Sequence, residues 1–516
     1  MKHLFNSLVL TITLITCSFG QDPNILWQRT IGGSGYDRLT SIQNTVDGGI
    51  ILGGESDSDI SGEKTENSQG GKDFWVVKLD SQGIIEWQNT IGGSGNDILN
   101  TLSQTLDGGY IIGGSSDSDI SGDKTENSNG EKDYWILKLD VNGSIVWQNT
   151  IGGGGSDSLV SIAQTPDGGY ILGGTSSSGI SGDRTISSQS QNDTWIVKTD
   201  ANGVIQWQKA FGFVDAYTHS SLSLTNDGGF IIGGSGAAPL RSYYMIKLSE
   251  LGTFQWSELY GGFGEDALTE VQQTSDGGYI VIGLSDSNAS GNKTEDSQGG
   301  FDFWIIKTNI LGAMEWQNTI GGTTGDACYS AIESDDGGYF ICGYSDSNVG
   351  GDKTEDSNGA TDYWILKLNS VGIIEWQNTI GGENQDRIPN AVQNINGEYV
   401  IGGSSLSDAS GDKTENSRGD FDFWILKHNK VLGVDDNVFF NGFTLFPNPT
   451  SNKIEVSIQD QLIDVLKIYS AKGELLKEFK NIENSSIIDV SHLSTGVYYL
   501  QIISGKNIAT KKFVKE

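Results

Sequence analysis

Thirteen tryptophans mark this chain at fixed intervals, and their spacing limits the folds open to it. Trp27, Trp87, Trp147, Trp207, Trp256, Trp316 and Trp376 are separated by 60, 60, 60, 49, 60 and 60 residues. The other six (Trp75, Trp135, Trp195, Trp304, Trp364 and Trp424) fall at one constant offset inside the same units. Such a period means copies of one supersecondary unit, stacked or set radially, each burying a face it cannot bury alone.

The second copy shows the unit. Ile98 to Thr105 reads as a strand ended by the turn Asp107-Gly108-Gly109, and Tyr110 to Gly114 as a second strand. An insertion from Ser115 to Lys132 follows. Tyr134 to Leu139 is a third strand, and Asp140-Val141-Asn142-Gly143 turns the chain into a fourth, Ser144 to Ile151. No stretch carries helical spacing. Four antiparallel strands per copy predict an all-β chain, a seven-bladed β-propeller over residues 21–433. The array opens at Ile25 with only a fourth strand and stops near Asn429 after only a third. The N-terminal strand is therefore expected to complete the seventh blade and leave no unpaired edge.

The segment from Leu79-Asp80 to Trp87, repeated from Leu139-Asp140 to Trp147, resembles the tryptophan-docking repeats of quinoprotein-type propellers. It is also similar to a lengthened sialidase Asp-box. Both resemblances imply that Asp and Gly close a hairpin while Trp packs between blades; neither implies a quinone cofactor.

The net charge of −34 belongs to the repeats and weighs against nucleic acid or an anionic membrane as partner. Residues 1–20 read as a secretory signal: Lys2 and His3, an apolar run from Leu8 to Ile15, then Ser18-Phe19-Gly20. Cys17 also permits a lipid-anchor reading, although Thr16 fits that motif badly. No later apolar run approaches the ~20 residues of a membrane helix, so no transmembrane segment is expected. Cys328 and Cys342 stand where other repeats carry aliphatic residues; buried thiols and a cross-strand disulfide are both open.

In a propeller the Asp-Gly-Gly and Asp-x-x-Gly hairpins share one face, while the insertions and Gly-Gly connectors share the other. The second face is the candidate for binding. Its insertion begins Asp57-Ser-Asp59-Ile-Ser61-Gly62, like the opening of an EF-hand loop. Candidate calcium ligands are Asp57, Asp59 and Glu66, repeated as Asp117, Asp119 and Glu126. Blades five and six supply Asp286, Asn288 and Glu295, and Asp346, Asn348 and Glu355. Position twelve, where a bidentate Glu belongs, is Ser68 or Ser128, which favours a solvated loop rich in Asx turns over a calcium site. Two further carboxylates recur, one series from Asp37 to Asp386 and another from Asp73 to Asp422, with capping or turn roles expected. Blades three and four break the pattern with Tyr217, His219, Arg241, Tyr243 and Tyr244, a candidate ligand patch. The four histidines of the chain accompany no nucleophile motif.

After a linker at 434–442, residues 443–516 change character. Pro447-Asn448-Pro449, Gly473, an Asp489-Val490-Ser491 stretch leading to Gly496 and Tyr498, and a basic end resemble the type A C-terminal sorting domain of the Bacteroidetes type IX secretion system. The strand pattern predicts a small β-sandwich. The resemblance implies handling by that secretion machinery, then release or display at the cell surface. The expected function is non-catalytic binding or adhesion, with a glycan or protein ligand; a polysaccharide-active enzyme is the alternative.

Overall fold

The computed structural model describes residues 25–212, 218–237 and 241–429 of the repeat array. Beyond the array it describes 444–446, 450–457, 463–470, 475–482, 485–494, 496–504 and 507–515. The signal and linker expectations lie outside the described residues. Two compact units emerge, one spanning Asp22–Lys430 and the other containing Val431–Glu516.

The first unit is a ring of seven four-stranded antiparallel sheets. Blade one runs Asp37–Asn44, Ile50–Ser56, Asp73–Leu79 and Ile85–Ile91 from the inside outward. The first strand of each blade meets the first strand of the next. The circle closes where Asp386–Gln393 of blade seven meets Asp37–Asn44. Ile25–Ile31 is the outermost strand of blade seven, pairing Thr30 with Trp424 and Arg29 with Ile425. The expected latch is in place, and Gln28 Oε1 accepts from Trp424 Nε1 at 3.0 Å.

Both tryptophan series bond blade to blade. Trp75, Trp135, Trp195, Trp304, Trp364 and Trp424 are wholly buried on third strands. Each of those with an aromatic partner meets the residue one place earlier on the third strand of the previous blade. Phe74 lies 5.1 Å from Trp135, Tyr134 5.1 Å from Trp195, and Phe423 4.8 Å from Trp75, centroid to centroid. Each such ring removes roughly 150–250 Å² from water, and offset aromatic pairs add about 1 kcal/mol beyond that. Most of the outer series is half-buried and sits under the hairpin glycine of the following blade. A Cβ at Gly83 would lie 3.0 Å from the Trp27 ring, and the φ of +76 at this glycine is one that residues with a side chain rarely adopt. The sequence period is thus the period of blade contact.

Blade four is the exception. Its third strand, Arg241–Leu248, has Tyr244 where the other repeats carry Trp, and its second and third strands are joined without the insertion.

The second unit has a three-stranded and a four-stranded sheet. Ile454, Val456 and Ile488 of the first share a buried cluster with Leu466, Ile468, Tyr498 and Leu500 of the second, which makes a β-sandwich.

Candidate functional site

The insertions fold onto the Gly-Gly connectors and form one face of the ring. The Glu63 N–H donates to the Gly32 carbonyl at 2.9 Å, and the Asp57 N–H to Tyr36 O at 3.1 Å. At the base of each insertion, an Asp-Ser-Asp row crosses three strands: Asp37 pairs with Ser56, and Ser56 with Asp73. Asp37 Oδ2 accepts from Gly33 N at 2.6 Å and from Ser58 Oγ at 3.0 Å. Asp73 Oδ2 accepts from Gln69 N, while its Oδ1 takes no hydrogen bond and lies against the connector. A Cβ at Gly92 would stand 1.8 Å from that Oδ1, which explains why the connector is glycine.

Over this row lies a lysine that the repeat pattern gives no reason to single out. Lys64 is buried, and its Nζ donates to Ser58 O at 2.8 Å and Ser68 Oγ at 3.2 Å. It stands 6.0 Å from the Trp75 ring centroid. Lys293, Lys353 and Lys413 repeat the arrangement, with Nζ to Ser287 O at 2.6 Å, Ser347 O at 2.9 Å and Ser407 O at 2.7 Å. In blade three Arg184 takes the place and pairs with Asp193, both side chains fully buried. Blade four carries Gly236 and Ser242 in place of the Ser and the second Asp of the row, and no insertion lysine. Among the described residues the third-strand carboxylate and the insertion cation are thus missing together from this blade.

The carboxylates offered as calcium ligands serve here as caps of backbone N–H groups around the loop. Asp57 Oδ1 accepts from Tyr36 N at 2.7 Å, and Glu66 Oε2 from Thr90 N at 2.6 Å, on different sides of the loop. Asp117 and Glu126 cap Asn96 N and Thr150 N in the same way. Asp286 with Glu295, and Asp346 with Glu355, repeat it in blades five and six. Asp59, Asp119, Asn288 and Asn348 are exposed. The ligand sets do not converge. Among the described residues no three His, Cys, Asp or Glu side chains are disposed to hold a metal ion. The cation within each loop is a lysine ammonium. Millimolar calcium is accordingly expected to leave the melting temperature unchanged. A rise of several degrees would reinstate a metal site, since a ligand at a hundred times its Kd adds about 2.7 kcal/mol.

In the blade three–four patch the two described tyrosines pack into the fold. Tyr243 and Tyr244 are buried between blades. The Tyr243 ring lies 4.8 Å from Trp304, and the Tyr244 hydroxyl meets Thr194 Oγ1. Both hold the inter-blade aromatic positions of the other repeats and offer nothing to a ligand. Arg241 is exposed. Tyr217 and the side chain of His219 lie outside the described residues. Cys328 and Cys342 are buried free thiols, so the disulfide alternative is not realised. Burial pushes both thiols up, and Cys328 Sγ donates to Gly283 O at 2.9 Å.

The asymmetry of this face lies instead in blades six, seven and one. Arg38, on the innermost strand, pairs with buried Glu55 at 3.8 Å, and Lys72 reaches the same carboxylate at 2.8 Å. Lys72 Nζ also stands 4.0 Å above the Tyr36 ring, which meets Phe421 edge-on at 5.9 Å. In blade six Tyr329 and Tyr344 stack at 5.6 Å. Burial raises the Tyr329 hydroxyl, as does Tyr344, while the charge of Arg38 acts in the opposite direction from blade one. Arg387 of blade seven donates to Thr361 Oγ1 at 3.5 Å. Arg38 Nε and Glu55 Oε2 are buried and have no hydrogen-bond partner in the protein. Sequence comparison of equivalent positions carries the signal: Arg38 and Arg387 align with Ile98, Ser158, Ala267 and Ala327.

In the second unit Pro447, Asn448, Pro449 and Gly473 lie outside the described residues. Gly496 opens a strand, and Tyr498 is buried with its hydroxyl donating to Ser494 O at 2.8 Å. Among the described residues no helix is long and apolar enough to cross a membrane.

No curated protein matches the chain. Among solved structures it is similar to PorZ, a surface component of the type-IX secretion system of Porphyromonas gingivalis, at 10% identity and TM-score 0.44. That alignment covers 94% of this chain but 60% of PorZ, so the chain spans little more than half of that protein. It is also similar to a protein of unknown function from Dyadobacter fermentans, at 12% identity and TM-score 0.40 over 79% of this chain and 99% of that one. The Pan2 WD40 domain of Neurospora crassa aligns at 9% identity and TM-score 0.43, over 79% and 97%. Residues 444–516 match the secretion system C-terminal sorting domain. The chain is thus a seven-bladed β-propeller with a type IX secretion C-terminal sorting domain, a protein exported to the cell surface or released.

Proposed function

We propose that the exported propeller is a non-catalytic binding protein whose ligand meets the insertion-bearing face. One observation carries this reading. The repeated polar groups of that face are spent on the fold, as caps of connectors and as the buried Asp–Lys–Asp unit. What remains for a ligand is an asymmetric cluster of arginine and aromatic side chains near the ring axis. Recognition needs a rigid platform with a few distinctive groups, and this face has that composition. His428 is wholly buried on the third strand of blade seven.

The full chain, freed of its signal, should be retained on a glycan array or by an extracellular protein ligand. The bound glycan should show no new reducing ends after prolonged incubation. Accumulating product would favour the polysaccharide-active alternative; failure to retain either glycans or surface proteins would remove the binding reading.

A further inference from the structure

The mouth of the ring between blades six, seven and one combines features found nowhere else on the described face. Equivalent positions in blades two, three and five carry Ile98, Ser158 and Ala267 where blade one has Arg38, and Ser115, Thr175 and Leu284 where it has Glu55. Shared ancestry therefore does not account for the cluster. Most lysines of the propeller are committed elsewhere, inside the insertions or in hairpin bridges such as Lys78 to Asp47 at 3.0 Å. Arg38, Arg387 and Lys72 are partly exposed cations on a strongly acidic molecule.

A second observation is independent of charge. Ile388 has a φ of +52, the one such non-glycine residue of those described, and it precedes Pro389. A β-branched residue before proline resists this conformation on two counts, and such strain is of order 1–3 kcal/mol. It sits in the irregular register between Arg387 and Asn390, on the innermost strand of blade seven. In the other insertion-bearing blades the irregularity spans a single residue, as Thr40 between Leu39 and Ser41, without strain. Arg387 keeps the register that Arg38 has in blade one, and the strained residue is its immediate neighbour.

We infer that this mouth binds an anionic sugar, a carboxylated residue of a short glycan or chain end. Arg38 and Arg387 supply planar forks that match a carboxylate in two-point fashion, which a lysine cannot do. The stacked Tyr329 and Tyr344 and the Tyr36–Phe421 pair supply aromatic surface for the C–H side of a sugar ring. On an acidic molecule these three cations mark the place where a carboxylate of a short glycan is drawn in. This inference rests on the binding reading of the same face and names its ligand class.

Calorimetry of the full chain with trigalacturonate provides the test. Saturable binding is expected, weakened at least tenfold when the carboxylates are methyl-esterified. Arg387→Lys keeps the charge, removes the fork, and should weaken trigalacturonate binding at least tenfold with the melting temperature unchanged. Ile388→Gly relieves the backbone, so it should hold or raise the melting temperature while binding falls. Arg241→Gln, in blade four, should change neither. Equal affinity for the esterified and free trisaccharide, or full binding by the Arg387→Lys and Ile388→Gly variants, overturns the inference. Retention of a neutral glycan or an acidic peptide with no trigalacturonate binding would overturn it too, while leaving the binding reading intact.

Discussion

Deleting residues 25–31 is expected to open the ring and to lower stability by about 5–10 kcal/mol, a large part of what holds a typical domain folded. The strand contributes a ladder against Phe423–His428, interrupted at Leu26, with hydrogen bonds worth about 1 kcal/mol each net. Its Trp27 packs on Gly83 of the next blade. Its Gln28 receives Trp424 Nε1 at 3.0 Å and donates to Asp412 O at 2.7 Å, so deletion also strands a buried indole and a loop carbonyl. The bare third strand becomes an open edge, and aggregation should accompany the loss. Chemical denaturation followed by fluorescence checks the magnitude. A synthetic peptide of residues 22–32 added in trans should restore much of the transition. Gln28→Ala alone should lower stability by about 1–3 kcal/mol. A deletion variant that melts like the parent would mean that the ring does not depend on its latch.

Raising the pH from 5 to 8 is expected to destabilise the propeller, the reverse of the common behaviour of acidic proteins held by exposed ion pairs. Burial pushes Asp73, Asp133, Asp302, Asp326 and Asp362 up to about 6 and Asp422 up to about 7, against an ordinary value of 3.8. Backbone N–H groups and the nearby lysine offset part of this; for most of the set the aspartate of the neighbouring blade adds to it. A raised carboxyl holds its proton more tightly folded than unfolded. Its contribution is therefore full below about pH 4 and is lost as pH rises through 6 to 7. A tenfold difference in proton affinity between the folded and unfolded chain is worth about 1.4 kcal/mol, and interaction between neighbouring carboxyls reduces the sum to about 5 kcal/mol over the whole set.

Further acidification reverses the trend. Burial alone would raise Asp47, Asp167, Asp227 and Asp276, but the hydroxyl, N–H and lysine around each carry it down to about 2. Stability from these hairpin bridges is present above 3.8 and lost as pH falls toward 2. The melting temperature should peak between about pH 4 and 5. Asp422→Asn should raise it at pH 8 and leave it unchanged at pH 5. A melting temperature that climbs steadily from pH 4.5 to 8 would exclude this account.

The period of 60 residues, the turn chemistry and the half-units at both ends carry the architecture, because each expresses a local rule repeated around the ring. Strand bounds agree within a residue or two: Tyr134 to Leu139 is observed as Asp133–Leu139. Repetition also hides the site. Alternating Asp and Ser suggest a metal loop, yet Lys64, seven residues beyond Asp57, decides what the loop encloses, and only packing shows that it turns inward. Blade four stands out in the sequence because it is shortened, but its Tyr244 is a packing substitute for a missing tryptophan. The cluster of blades six, seven and one is assembled from residues over three hundred positions apart, such as Tyr36 and Phe421, and ring closure alone brings them together.

Sealing with the first strand rather than the last has a consequence in time. The earliest propeller segment to leave the ribosome must wait for a partner that lies some four hundred residues behind it. A nascent or translocating chain of this design stays threadable over nearly its whole length, and its toroid locks only after passage of the seventh repeat.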